Sequence, residues 1–384
     1  MTKIIVSVIS DLVADQRVHK VSQTLFEQGF NVLLIGAKKR KSLPLTKRDY
    51  AAKRINMFFQ KGFLFYAEWN MRLFFYLLIK KHHILLANDL DTLPANYIAG
   101  KLKRAVLVYD THEFFTETAE LYNRRFVKAV WVKIERFFFS RTRYIYTVST
   151  AVAALYKARF NKEVLVIRNV PLLTNPKQVN TGYAIENLFK LPPNKKILLI
   201  QGSGLNENRG VEELVLATTL LPDDFILVIA GSGLIITKLN QLVVEHNLQN
   251  KVFFTGLLPF EQLQAVTQMA FCGFSLDKPL NINQQASLPN KIFDYLAANI
   301  PVITSNIKEV VNIVEQFKVG IIIDDVTPEN IAEAVKKLAS DKEKYTAYKL
   351  NTLQAINELN WNKEKKIIEI LFKKITAENK LVFG

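Results

Sequence analysis

Residues 195–217 read KKILLIQGSGLNENRGVEELVLA. The apolar run predicts a buried strand over 196–201 that ends in a turn holding Gly202 and Gly204. A helix follows from about Gly210. Glycines let a backbone approach a phosphate, and a helix start offers free N–H groups. Arg209 stands at that start, where a guanidinium can pair with a diphosphate. The segment IAGSG at 229–233, with Gly231 and Gly233, repeats the pattern. Neither is a nicotinamide-type G-x-G-x-x-G, because Glu207 and Ile236 occupy the third glycine position. Singly, each turn also fits a plain strand–helix connection. Two in one domain, both at strand C-terminal ends, favour a ligand crevice.

Downstream lies SLPNKIFDYLAANIPVIT, residues 287–304. Ser287 suits a helix cap and Pro289 a first turn. Asn290 and Asp294 share one face, with Phe293, Leu296 and Ala297 on an apolar side. Asp294 is spaced to accept hydrogen bonds from a ribose diol, or to lie solvated on a helix surface.

Apolar runs alternating with amphipathic stretches predict βαβ units throughout. Strands are expected at 4–9, 32–35, 84–87, 106–109, 144–148 and 164–167 in the first half. In the second half they fall at 196–201, 225–230, 251–255, 271–276, 302–304 and 320–323. The Pro- and Asn-containing stretch within 171–195 predicts a boundary. The expected class is α/β: doubly wound, Rossmann-like parallel-sheet domains at 1–175 and 190–355, then a C-terminal helix and tail at 356–384.

The charge is lopsided. Residues 1–180 hold 30 Lys+Arg and 13 Asp+Glu, or +17; residues 181–384 hold 21 and 22, or −1. Such a first half suits phosphorylated or lipid-borne partners. No zinc-finger, KH or RNP signature points to nucleic acid. The lone Cys272 sits in an apolar run and excludes an internal disulfide. With no secretory signal and no apolar run of about 18 residues, the expected place is the cytoplasm, either free or peripheral on the membrane's inner face. Segments 63–83 and 124–143 read as aromatic helices with basic ends. Val127, Val130, Trp131, Ile134 and Phe138 form the predicted stripe of the second. Such stripes face either a core or an anionic membrane.

His112 and Glu113 follow the strand VLVYD, so they are expected at the C-terminal edge of the first sheet. Asp89 and Asp91 fit either an acceptor hydroxyl or a helix cap, and the cap is favoured. No H-E-x-x-H and no His/Cys cluster is present, so no metal site is expected.

GSGLNENRG, IAGSG, FFTGLLPFEQL and above all SLPNKIFDYLAANIPVI resemble the donor-binding domain of family-4 glycosyltransferases. DQRVHKVSQTLFEQGFNVLLIG, YDTHEFFTE and ELNWNKEKKIIEIL are similar to the rest of that family's chain. The resemblance implies a GT-B fold with two domains facing a cleft and a C-terminal helix crossing back to the first. It implies retaining, metal-independent transfer of a sugar from a nucleotide-diphosphate sugar, the co-substrate, with no cofactor. The acceptor would be a glycan or a lipid-linked molecule. Asp294 matches the second acid of the family's E-x7-E motif, which binds the donor ribose. The first acid is replaced by Ala286. Arg209, Asn290 and Lys291 would hold the diphosphate, His112 would contact the transferred sugar with Glu113 beside it, and Arg17 would lie on the acceptor side. A nucleotide-sugar 2-epimerase and a non-catalytic sugar-nucleotide binder are the alternatives.

Overall fold

The computed structural model describes residues 1–10, 12–13, 15–40, 42, 44–122, 124–173 and 191–379. The chain divides into two compact units. Residues 1–169 and 362–384 form the first, and residues 170–361 the second. Most of the expected linker lies outside the described residues.

In the first unit the strands are β1 Lys3–Val8, β2 Asn31–Lys38, β3 Ala51–Asn56, β4 Ile84–Asn88, β5 Val106–Thr111, β6 Tyr144–Thr147 and β7 Leu165–Val166. They form one sheet in the order β3-β2-β1-β4-β5-β6-β7, every pair parallel. β4, ILLAN, is buried along its whole length, as a strand covered on both faces must be. β3 is absent from the predicted strands. It is the edge strand AAKRIN, charged and half-exposed, and its pairing with β2 comes from tertiary position rather than from an apolar run. Helix Gln16–Glu27 starts where the Asp15 carboxylate accepts the Val18 N–H at 3.0 Å. From Asn362, the last helix, Trp361–Glu378, belongs to this unit and buries Ile368, Phe372 and Ile375.

The second unit holds β8 Lys196–Gly202, β9 Phe225–Gly231, β10 Val252–Gly256, β11 Cys272–Ser275, β12 Val302–Ser305 and β13 Gly320–Ile323. The sheet order is β10-β9-β8-β11-β12-β13, all parallel. Its six strands overlap the six predicted for this half. Chain direction across this sheet reverses between β8 and β11, so the loops leaving those two strands diverge and open a crevice. The equivalent reversal in the first sheet lies between β1 and β4. Cys272 is buried in β11, and burial pushes its thiol far up, as expected of an inert core residue.

Candidate active site

Two helices are drawn onto the switch point of the second unit by glycines. Gly210 adopts φ +69° and abuts the Leu276 side chain and carbonyl, leaving no room for a Cβ. Lys278 N–H donates to the Asn208 carbonyl at 2.9 Å, zipping the loop after β8 to the loop after β11. This contact sets Arg209 beside Asp277. Arg209 Nη1 lies 2.5 Å from Asp277 Oδ1, and Lys291 Nζ lies 3.8 Å from Oδ2. The Asp277 side chain is 1% exposed, whereas that of Arg209 is 38% exposed. Oδ2 of Asp277 has no hydrogen-bond partner, and neither has the nearby Ser275 or Thr304 hydroxyl. Burial lowers the Lys291 ammonium, Asp277 opposes that, and Arg209 adds to it. Two basic side chains therefore face one buried carboxylate at a strand edge.

Asp294 reaches the same crevice. Tyr295 packs its ring directly on Gly273 of β11, where no side chain would fit, and its hydroxyl donates to the Phe274 carbonyl at 3.1 Å. This seats helix Lys291–Ala297 on the sheet and turns Asp294 toward the end of β8. There Gln201 Nε2 donates to Asp294 Oδ2 at 3.0 Å, while Gln201 Oε1 accepts from Thr267 at 2.9 Å. Asn290 is exposed at the helix start with no capping bond.

Two expectations for this half, for Ser287 and Ala297, require correction. Ser287 does not cap the helix; its hydroxyl donates to the Gln284 carbonyl at 2.8 Å. Ala297 is exposed, and Ile292 and Tyr295 join Phe293 and Leu296 on the buried side. Gly231, at φ +146°, faces the Gly202 carbonyl, and Gly233 faces the Leu205 carbonyl, so close that a Cβ at either would collide. These two glycines are required by one loop's backbone lying on the other. Gly204 borders open space, and Gly202 has only ordinary contacts. Ala286, in place of the family's acid, is buried.

The first unit gathers a different set at the ends of β4 and β5. His112 is half-buried with a carboxylate at each ring nitrogen. Nδ1 lies 3.1 Å from Asp89 Oδ2, and Nε2 lies 3.3 Å from Asp110 Oδ2. The His112 backbone N–H also donates to Asp89 Oδ1 at 3.1 Å. Burial alone would lower the imidazole, but Asp89 and Asp110 outweigh it and hold it well above its ordinary value. With both ring nitrogens facing carboxylates, the protonated ring is favoured, which works against a role as a base. Glu113 is half-buried, and its carbonyl accepts from Thr111 at 2.8 Å and from Tyr156 at 3.2 Å, holding the turn.

Arg17 is not an acceptor contact. It is buried, its fork gives Asp110 two bonds at 3.0 and 2.8 Å, and Nη1 donates to the Ile167 carbonyl at 2.8 Å. Arg17 therefore holds Asp110, which holds His112. The expected capping role of Asp89 and Asp91 is also overturned. Helix Leu93–Lys103 has no side-chain bond from its cap Thr92, and its Ala95 N–H donates instead to Asn70 Oδ1 at 3.2 Å. Asp89, at φ +63°, is committed to His112. Asp91 is buried, and burial followed by the Asp89 charge pushes its carboxyl well above the usual carboxylate range.

An NMR titration of His112 is expected to find its ring protonated at neutral pH. The folded value lies above the unfolded one, 6.5. Its stabilising contribution is therefore complete below about pH 6.5 and fades as pH rises through the folded value. A ring that titrates near 6.5 would contradict the two-carboxylate clamp.

Two parallel, doubly wound units of this kind define the GT-B class of α/β proteins. Sucrose-phosphate synthase from Thermosynechococcus elongatus superposes with a TM-score of 0.78 at 16% identity, over 98% of this chain and 100% of that one. HepE of Anabaena, solved in complex with UDP and glucose, gives 0.75 at 14% identity, over 97% and 100%. The family profile described as Glycosyl transferases group 1 matches residues 185–354, and that described as Glycosyltransferase Family 4 matches residues 14–170. The chain belongs to the family-4 glycosyltransferases. It is also 32% identical over 115 residues to WcaI of Escherichia coli K12, named as a colanic acid biosynthesis glycosyl transferase. That match covers 30% of this chain and spans 27% of the relative.

Proposed function

We propose that this protein is a retaining glycosyltransferase that moves a sugar from a nucleoside-diphosphate sugar onto a glycan or lipid-linked acceptor. The observation that carries this reading is the pair of cations, Arg209 and Lys291, poised on buried Asp277 at the switch point of the second unit. A diphosphate is the ligand whose charge and two-centre geometry such a pair fits. Asp294, oriented by Gln201, is the hydrogen-bond acceptor for the donor's ribose diol. HepE binding UDP with the same fold supports a nucleotide donor.

In this reading the chemistry is leaving-group stabilisation. The diphosphate departs toward Arg209 and Lys291, which meet the developing negative charge without a metal ion. The acceptor oxygen attacks from the face the diphosphate leaves, so configuration is retained. Retention rests on the family. His112 acts through position and charge rather than as a base. A non-catalytic sugar-nucleotide binder is the second reading, and buried Ala286 in place of the family's acid favours it.

A thermal-shift panel of nucleoside diphosphates and their sugars tests the donor site. One base is expected to stabilise the wild type, and Asp294→Ala is expected to lose most of that shift. Equal shifts in both proteins would remove Asp294 from the site. With the donor so identified, nucleotide release on adding acceptor supports transfer, while binding without turnover supports the second reading.

A further inference from the structure

Three of the most exposed aromatic side chains of the first unit stand at two helix starts and a turn. Phe58, Phe63 and Phe126 are 81%, 78% and 82% exposed, and Leu64 is more than half exposed. Phe63 and Leu64 open helix Gly62–Ile79, and Phe126 opens helix Arg125–Arg141. The two helix starts are tied behind the surface by Tyr66 and Trp131, whose rings meet edge-on at 5.5 Å. Phe63 lies one turn from Tyr66, and Phe126 five residues from Trp131. Phe58 belongs to the turn after β3, which buried Glu68 pins to the first of these helices. Its carboxylate accepts the N–H groups of Phe58 and Phe59 at 3.0 and 2.9 Å and the Arg72 guanidinium at 2.7 Å. A buried carboxylate is thus committed to holding two aromatic rings outward.

The stretch that carries Phe58 is strongly basic. Residues 38–61 contain nine Lys and Arg and one acid, Asp49. Lys39, Arg40 and Lys61 are exposed on this side, and Arg124 and Arg125 stand at the second helix start. The second unit also exposes apolar residues, but its half of the sequence carries −1 against +17 here. This patch lies at the C-terminal edge of the first sheet. Phe115, three residues beyond His112, touches Trp131 at 5.1 Å, so the patch and the His112 turn share one aromatic support.

We infer that this patch is a docking surface for an anionic lipid bilayer, with the phenylalanines entering the interface and the cations meeting lipid headgroups. By sequence the stripes within 63–83 and 124–143 fit either a core or a membrane; of the one predicted in 124–143, Trp131 is buried and Val130, Ile134 and Phe138 are partly buried. Trp69, Leu73 and Leu77 are buried in one helix, and Trp131, Glu135 and Phe139 in the other. Val127 of the predicted stripe is exposed, and Glu135 is paired with Arg159 at 2.9 Å. The membrane-facing residues are instead the helix starts and the β3 turn. Among the described residues no helix is long and apolar enough to cross a membrane. The inference stands apart from the donor reading, because vesicle binding is measured with no sugar nucleotide present.

Co-sedimentation with vesicles of phosphatidylcholine plus phosphatidylglycerol, and with phosphatidylcholine alone, is the test. The wild type is expected to bind the anionic vesicles, less strongly at raised salt, and to ignore the neutral ones. Phe58→Ser with Phe63→Ser and Phe126→Ser is expected to weaken binding at least about tenfold. Lys39→Glu with Lys61→Glu and Arg125→Glu is expected to weaken it on the order of 100-fold or more. Leu353→Ser, an exposed site in the second unit, should bind as the wild type does. Failure of the wild type to bind anionic vesicles, or undiminished binding by either triple variant, overturns the inference. So does lipid-free dimerisation that the serine variant abolishes, which would make the patch a contact between two copies of the chain.

Discussion

Arg17→Met is expected to destabilise the first unit by about 3–5 kcal/mol, the usual loss when one partner of a buried ion pair is removed. The Asp110 carboxylate is fully buried, and its own burial would push it up. Arg17 and His112 outweigh that and hold it low, so it is charged in the folded protein. Without the guanidinium, only His112 remains to balance it, and the Ile167 carbonyl loses its donor as well. Denaturant unfolding can be followed by the fluorescence of Trp69 and Trp131, which lie in the first unit, whereas Trp361 lies in the second. Arg17→Met combined with Asp110→Asn removes both charges and is expected to recover part of the loss. A single variant as stable as the wild type would mean that the Arg17–Asp110–His112 chain does not hold the site together.

The other large effect is kinetic. Arg209→Ala is expected to lower turnover with the donor identified by thermal shift by roughly 10²–10³-fold, the cost of losing one preorganised partner for developing charge. Arg209→Lys should recover part of it, since a point charge replaces a fork. Chelation of divalent ions should leave the wild-type rate unchanged if, as proposed, Arg209 and Lys291 supply the counter-charge. A wild type that requires added magnesium, or an Arg209→Ala variant at full rate, would show that the diphosphate is stabilised elsewhere.

Local pattern was sufficient for much of this molecule. The apolar runs of β1, β4, β8 and β9 announce themselves because a strand buried on both faces has no polar alternation to disguise it. β3 escaped detection, since an edge strand carrying Lys53 and Arg54 is stabilised only by its neighbour. Gly210 and Arg209 were legible as a strand–helix turn. Asp277 was not, because nothing in SLDKPL distinguishes a carboxylate that will sit under two cations from one left in solvent. Gln201, which orients Asp294, was missed for the same reason. The resemblance to the family pointed to Asp294, Lys291 and His112, and for Arg17 it suggested a role that the structure replaces.

By itself, then, the sequence determined every strand but β3, the two doubly wound halves, the glycine turns and the excess of positive charge in residues 1–180. These are short-range or summed properties, written in neighbours along the chain. Only the tertiary structure decided which charges meet. Arg17 finds Asp110 across 93 residues, and Arg209 finds Asp277 across 68. It also decided that Asp89 clamps His112 rather than capping a helix, and that Phe58, Phe63 and Phe126 stand exposed at two helix starts and a turn. Such partners are chosen by where parallel strands end in space. Periodicity carries no record of those ends, because it says which face of an element is buried and nothing of what lies opposite.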